Sequence, residues 1–238
     1  MSLRPTLSPL VVAMVLLVPP AVRAQGLQVQ GYPAGLQVAG GAIAPVGEAG
    51  GSSGLGWDVA VAGDVEFRPR LAIRAGYLYG RFGAEEIGVA SGTESARLRA
   101  KTQMHLGAID LVWLRPLPDR HATVYVFGGP LLAFRRVTLT NPSGGRTFDE
   151  APVTVCQPHW LQCASAAVPY HRVLGIRRST DLGANVGAGF SFDVGLRARF
   201  FAEARFVYID GPSFRDASGA TRSSDAFYVP VVVGLRFQ

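Results

Sequence analysis

The chain has 238 residues, of which 48% are hydrophobic and 17% are charged, and its formal net charge at pH 7 is +6. This length is enough for one all-β domain, and no linker divides the chain in two. The basic residues, all arginine except Lys101, are spread along the chain rather than gathered in one run, which argues against a nucleic-acid-binding surface.

Residues 1–24 have the pattern of a secretory signal peptide. Arg4 supplies a positive charge, residues 10–18 are nearly all apolar, and residues 22–24 include small side chains where signal peptidase reads the chain. The apolar run is about half of the ~20 residues that a membrane-spanning helix needs, so a membrane anchor is the less favoured alternative. We predict a signal peptide cleaved after Ala24, a short N-terminal segment at residues 25–35 and one further domain at residues 36–238.

Segments of alternating apolar and polar residues fill that domain. Alternation places successive side chains on opposite faces of a strand. In the last segment one face is wholly apolar and the other is small or polar: Phe227, Val229, Val231, Val233, Leu235 and Phe237 against Tyr228, Pro230, Val232, Gly234 and Arg236. Punctuation by Gly, Pro and polar residues predicts eight strands, at residues 36–45, 56–67, 71–82, 100–114, 122–138, 180–192, 196–209 and 227–237.

The predicted connections alternate between short and long. Short turns occupy residues 68–70, 116–120 and 193–195, whereas long ones follow the first, third, fifth and seventh strands. An antiparallel up-and-down transmembrane barrel of the outer membrane has this asymmetry, with short periplasmic turns, longer external loops and lipid against the apolar outer face. The sequence therefore predicts an all-β, eight-stranded barrel in the outer membrane.

Aromatic residues at outward positions collect near the two ends of the predicted strands. Such rings form girdles at the two membrane interfaces of a barrel. The predicted external group is Trp57, Tyr79, Tyr208 and Phe227, and the periplasmic group is Phe67, Trp113, Tyr125, Phe192, Phe200 and Phe237.

Charged residues at inward positions predict the contents of the lumen. A three-residue loop at residues 68–70 places Asp64 opposite Arg74. A second such loop at residues 193–195 places Asn185 opposite Glu203, Gly187 opposite Phe201 and Gly189 opposite Arg199. Because eight strands leave room only for side chains, we expect a plugged, charge-paired lumen formed by Asp64, Glu66, Arg74, Arg199, Glu203, Arg205 and Arg236.

Two segments resemble a known family. Residues 200–206, with inward Glu203 and Arg205, are similar to the penultimate strand of the small outer-membrane β-barrels that include the OmpA-type transmembrane domain, and residues 227–237 are similar to their closing strand. The resemblance implies that the barrel-assembly machinery is a partner during biogenesis. We expect no peptidoglycan-binding domain after the barrel, so the resemblance does not imply a tethering role.

Cys156 and Cys163 lie in the same long loop, at residues 141–179. In an exported chain an even pair of cysteines predicts a disulfide. His159 and His171 are nearby and leave zinc as an alternative, but the spacing matches no closed zinc module. We expect no metal and no cofactor.

The favoured function is a non-enzymatic, monomeric outer-membrane protein that acts as a structural anchor or through its external loops, surrounded by outer-membrane lipid and lipopolysaccharide. One alternative is a lipid-modifying barrel enzyme using His105 with a nearby serine, although no serine or acid stands at a recognisable motif spacing from it. Another is a soluble periplasmic barrel that binds an apolar ligand.

Overall fold

The computed structural model describes residues 28–29, 31–47, 54–91, 94–118, 121–140, 153–157, 162–166, 173–195, 197–215 and 221–238. The predicted signal peptide lies outside these residues and remains a prediction. No helix in the described part of the chain is long and apolar enough to cross a membrane.

The described residues form a closed barrel of eight long antiparallel strands. Each strand pairs with the next one in sequence, and the last pairs with the first, so the barrel sheet closes on itself. The strands are β1 Tyr32–Val46, β2 Gly56–Arg68, β3 Leu71–Arg81, β4 Glu94–Pro116, β5 Ala122–Thr140, β6 Val173–Asp193, β7 Ala198–Ile209 and β8 Ala226–Phe237.

The strands are strongly staggered around the barrel. A path followed across the register from Leu36 of β1 through all the other strands returns to β1 at Val46, a displacement of ten residues. A stagger of this kind requires strands tilted by about 35–45° from the barrel axis. A row of residues that are neighbours across the strands is therefore displaced along the barrel axis as it passes around the wall.

The short connections lie at one end of the barrel, called here the turn end, and the long ones lie at the other, called the loop end. β4, β5 and β6 have 23, 19 and 21 residues, against 11 to 15 for the other barrel strands, so the wall is tallest on their side. Short strands extend the loop end: Glu85–Ser91 pairs with β4, Val153–Gln157 with Gln162–Ala166, and Ser213–Arg215 with Thr221–Ser223.

The predicted strands match the observed ones in number and order. At the loop end β4 begins at Glu94 rather than at residue 100, and β6 begins at Val173 rather than at residue 180. Three further differences lie at the turn end. β1 begins at Tyr32, so the barrel starts four residues before the predicted boundary at 36. The loop predicted at residues 68–70 is a two-residue turn, Pro69 and Arg70, preceded by a bulge between Glu66 and Arg68. The turn predicted at residues 193–195 is longer, because Asp193 pairs with Arg199.

The usual distribution of polar and apolar side chains is inverted in this barrel. Large apolar side chains are exposed on the outer face of the wall, as Val61, Ile109 and Leu182 illustrate. Charged side chains are buried inside: Asp58, Asp64, Arg74, Asp110, Arg135, Asp181, Glu203 and Arg236.

Candidate functional site

The lumen contains several groups of ion pairs near the turn end. The Arg236 guanidinium donates to Asp64 Oδ1 at 2.7 Å, and Gln37 Nε2 donates to the other carboxylate oxygen of Asp64 at 2.6 Å. Glu66, which is about one-third exposed, lies 3.9 Å from Arg236. Strands β1, β2 and β8 are therefore held together across the inside of the barrel.

Glu203 is the centre of a second group. Arg74 Nη1 donates to Glu203 Oε2 at 2.6 Å, and Arg205 Nη2 donates to Glu203 Oε1 at 3.0 Å. The Tyr125 hydroxyl donates to the same carboxylate at 3.3 Å. The Arg74 guanidinium also lies over the rings of Tyr125 and Phe127, at 5.2 and 5.1 Å from their centroids. Each buried charge here has an opposite charge in reach, as a stable buried network requires.

The network continues to the opposite wall through Asp110. Arg205 Nη2 is 3.6 Å from Asp110 Oδ2, and Asn185 Nδ2 donates to Asp110 Oδ1 at 2.9 Å. Arg199 belongs to a separate contact at the turn end, where it lies 2.6 Å from Asp193 and donates to the Thr123 hydroxyl. The seven predicted lumen residues thus all face inward, in three contact groups.

Sequence reasoning missed several inward charges. Asp110 was not predicted, and neither was the pair nearer the loop end in which Arg135 donates twice to Asp181 Oδ2, at 2.7 and 3.1 Å. Ser179 also donates to Asp181. The alternation of the sequence could have identified them, because these charges stand at inward positions of predicted strands four, five and six.

The register between β6 and β7 differs from the predicted one by four residues. Asn185 lies opposite Val207, Gly187 opposite Arg205 and Gly189 opposite Glu203. A four-residue shift keeps every side chain on its predicted face, because strand faces repeat every two residues. The glycines do make room for large side chains, but those are Phe127 and Tyr125, directly across on β5.

An apolar layer fills the lumen between the Glu203 network and the loop end. Ile43, Met104, Val207 and Ile209 are each fully buried there. Leu78, Phe82, Leu106, Leu131 and Tyr228 complete the cluster. Asp58 is buried inside the barrel, and neither of its carboxylate oxygens has a hydrogen-bond partner. Charged and apolar layers of side chains thus follow one another along the lumen.

Of the ten predicted interface aromatics, one is on the wrong face. Tyr125 is only 4% exposed and points into the lumen, so its assignment to the lipid-facing girdle was wrong. Strand five was predicted within two residues of its observed bounds. Its odd-numbered residues, Tyr125 among them, face the lumen, and its even-numbered residues face outward. The others are on the outer face: Trp57, Phe67, Tyr79, Trp113, Phe192, Phe200, Tyr208, Phe227 and Phe237.

Outward rings contact one another within each group. Trp57 meets Tyr79 with centroids 5.5 Å apart, and Tyr208 meets Phe227 at 5.2 Å, both near the loop end. Phe192 meets Phe200 at 5.1 Å near the turn end. Two separate aromatic zones result, one near each end of the wall.

His105 is also on the outer face. Its Nδ1 lies 2.6 Å from the Tyr77 hydroxyl, and its ring packs against Tyr79 and Phe134. Among the described side chains, neither a serine nor a carboxylate hydrogen-bonds to it. A group of three or more metal-ligating side chains is also not found within the described residues.

Comparison with known proteins shows the fold. No family model matches the chain, and no curated protein does. A major outer membrane protein from Thermus thermophilus has a similar structure, with a TM-score of 0.50, 15% identity and coverage of 86% of this chain and 98% of that one. The outer membrane protein OprG from Pseudomonas aeruginosa also has a TM-score of 0.50, with 11% identity and coverage of 86% and 95%. The chain has the fold of the small outer-membrane β-barrels, as predicted.

Proposed function

We propose that this protein is an integral outer-membrane barrel with an occluded lumen, which anchors external loops at the cell surface. The observation that carries the proposal is the inversion of polarity across the wall. Ile109 and Leu182 on the outside are 61% and 70% exposed, whereas Arg74 and Asp110 on the inside are 2% and 1% exposed. Only a lipid environment makes such an outer face favourable, since a soluble barrel would keep its apolar side chains inward.

In this proposal the turn end faces the periplasm and the loop end faces the exterior. The two outer aromatic zones would then lie at the two membrane interfaces. The protein would cross the inner membrane by means of the predicted signal peptide, be folded by the barrel-assembly machinery and stand among lipopolysaccharide as a monomer.

The long loop between β5 and β6 is the main surface for external contacts. Cys156 and Cys163 lie directly opposite each other in the antiparallel pair Val153–Gln157 and Gln162–Ala166. Directly opposed residues have Cα atoms about 4.5–5.5 Å apart, within the range of about 4.4–6.8 Å that a disulfide spans. We therefore propose a disulfide that fixes this ribbon.

A lipid-modifying enzyme remains the second candidate by class. His105 faces the lipid side, but its ring nitrogen is paired with a tyrosine hydroxyl rather than with a serine. Purified protein should leave the acyl chains of lipopolysaccharide unchanged, as mass spectrometry of the lipid would show. Removal of an acyl chain, abolished in His105→Ala, would replace the anchor proposal with the enzymatic one.

The test of the main proposal is the behaviour of the folded protein in detergent. Unboiled protein should migrate differently from boiled protein on electrophoresis, and cell fractionation should place it in the outer membrane. Recovery of folded protein in a detergent-free soluble fraction would contradict the proposal.

A further inference from the structure

Cationic side chains collect on one side of the outer surface at the loop end. A single row of neighbouring residues crosses β2 to β6 as Trp57, Arg81, Gln103, Arg136 and Arg178. Lys101 is on the same face of β4, two residues nearer the loop end than Gln103. Lys101 lies opposite Thr138, so it is a diagonal neighbour of Arg136.

The other side of the same rim has the opposite character. Tyr208 and Phe227 face outward there, and Asp210 and Asp225 stand two residues from them, on the same face and nearer the loop end. The positive charge is thus a localised patch over the tall strands rather than a uniform property of the rim.

The patch borders a cavity. A volume of about 330 Å³ opens on the outer surface, with Arg81, Arg99 and Lys101 among its lining residues and Leu55 and Trp57 on its apolar side. Arg99 lies opposite Glu86 in the strand register, and Arg81, Lys101 and Arg136 are the other cations at this cavity and in the row beside it.

Arg81, Lys101 and Arg136 have no ion-pair partner among the described side chains, and Arg136 Nε is buried without a hydrogen-bond partner. Neighbouring cations without counter-charges repel one another, and a bound anion removes that repulsion. Guanidinium groups bind phosphate well, because their parallel N–H groups match two phosphate oxygens.

We propose that this cavity binds a phosphate group of the glycolipid in the outer leaflet, the lipid A part of lipopolysaccharide. The inference rests on the proposed membrane location. Nearer the turn end than the cations, the wall continues into the exposed apolar side chains of Val61 and Tyr77, against which the acyl chains of the same lipid would pack. Free phosphate has no apolar part that would pack against this wall.

The test is titration of the folded protein in detergent micelles with three probes: lipid A carrying both phosphates, the same lipid with its phosphates removed, and inorganic pyrophosphate. The variant to compare combines Arg81→Gln, Lys101→Gln and Arg136→Gln. Arg115→Gln is the matched control, because Arg115 is exposed on the outer face of the same strand as Lys101 but near the turn end.

Each Lys or Arg near an anionic lipid surface contributes roughly a fivefold change in affinity. The triple variant should therefore bind phosphorylated lipid A about 100-fold more weakly than the wild type, whereas Arg115→Gln should bind normally. The wild type should bind the dephosphorylated lipid about as weakly as the triple variant binds the phosphorylated one, and it should bind pyrophosphate weakly. Should the triple variant not fold, Lys101→Gln alone should still weaken binding about fivefold.

The proposed site would be wrong if the folded triple variant bound phosphorylated lipid A as tightly as the wild type does. It would also be wrong if the wild type bound the dephosphorylated lipid as tightly as the phosphorylated one. Tight binding of pyrophosphate through the same residues would show a free-phosphate site instead. Failure of the proposed function would be recognised separately, because the wild-type protein would then show no heat-dependent shift in electrophoretic mobility.

Discussion

Glu203 receives hydrogen bonds from three side chains on three strands of the barrel. Arg74 lies on β3, Tyr125 on β5 and Arg205 on β7 itself. Two of these donors are guanidinium groups, and the Glu203 side chain is only 4% exposed. The carboxylate therefore neutralises positive charge in a place that water scarcely reaches.

Glu203→Ala should destabilise the barrel by about 3–5 kcal/mol, because the buried Arg74 loses its carboxylate partner and the partly buried Arg205 loses one of its two. Urea unfolding in lipid vesicles would measure the free energy. Glu66→Ala is the control, since Glu66 is partly exposed and 3.9 Å from its cation, and it should cost less than about 1 kcal/mol. Equal losses in the two variants would contradict the importance of the Glu203 group.

Gly189→Ala should also destabilise the barrel, by about 1–3 kcal/mol, because overpacking forces neighbours to move. An added Cβ would lie 2.5 Å from the Tyr125 ring and hydroxyl. Gly107→Ala is the matched control on the outer face, where a Cβ meets no atom within 4 Å. The same unfolding measurement distinguishes them, and a neutral Gly189→Ala would show that Tyr125 has room to move.

Sequence alternation predicted the facing of these residues well but not their partners. Asp64 and Arg74 lie opposite each other as predicted, yet each makes its shortest ion pair elsewhere, with Arg236 and Glu203. Arg74 and Glu203 are 129 residues apart in the chain. Contacts across a closed lumen depend on the curvature of the whole wall, which a strand-by-strand pattern does not contain.

At the level of strands, the apolar outer face should be sensitive to charge according to depth. Ile109 lies in the middle of β4 and is 61% exposed, and Gln103 is on the same face nearer the loop end. Ile109→Arg should destabilise the barrel in vesicles by about 2–4 kcal/mol, and Gln103→Arg by about 0–1 kcal/mol. Similar effects at both positions would argue against the proposed membrane position.

The ribbon that holds Cys156 and Cys163 should be separable from the barrel. Replacement of both cysteines by serine should leave the heat-dependent mobility shift intact, since the barrel strands pair without this loop. Protease should then cleave the loop between β5 and β6, at residues 141–172, faster than in the wild type. Loss of the folded barrel on reduction would show that the ribbon is needed for folding.

Turn chemistry explains why the strand bounds at the turn end were predictable and the register was not. Pro69 marked the first turn correctly, but the bulge at Phe67 shortened the loop from three residues to two. The residues after Asp193 gave no comparable signal of a longer turn, so the β6–β7 register was misjudged by four residues. Alternation shows which face a residue occupies and leaves its height along the neighbouring strand open.

At the level of the whole molecule, the layered lumen should prevent general diffusion. Barrels with an aqueous channel have about 16–18 strands, whereas eight leave room only for side chains. Here an apolar layer around Met104 and Val207 follows the charged network in series. Planar-bilayer recordings of the pure monomer should show small or no conductance, and large steady steps would prove the lumen open.

The alternation within each strand also limits the length of any continuous apolar run in the chain before the barrel closes. Asp58 and Asp64 interrupt the outward-facing apolar residues of β2, and Arg74 stands between Ile73 and Ala75 in β3. No strand therefore offers the ~20 consecutive apolar residues that would arrest an extended chain in a bilayer during export. Only closure of the ring separates the polar half of each strand from the apolar half. In the proposed membrane location, folding and membrane insertion are therefore expected to be a single event.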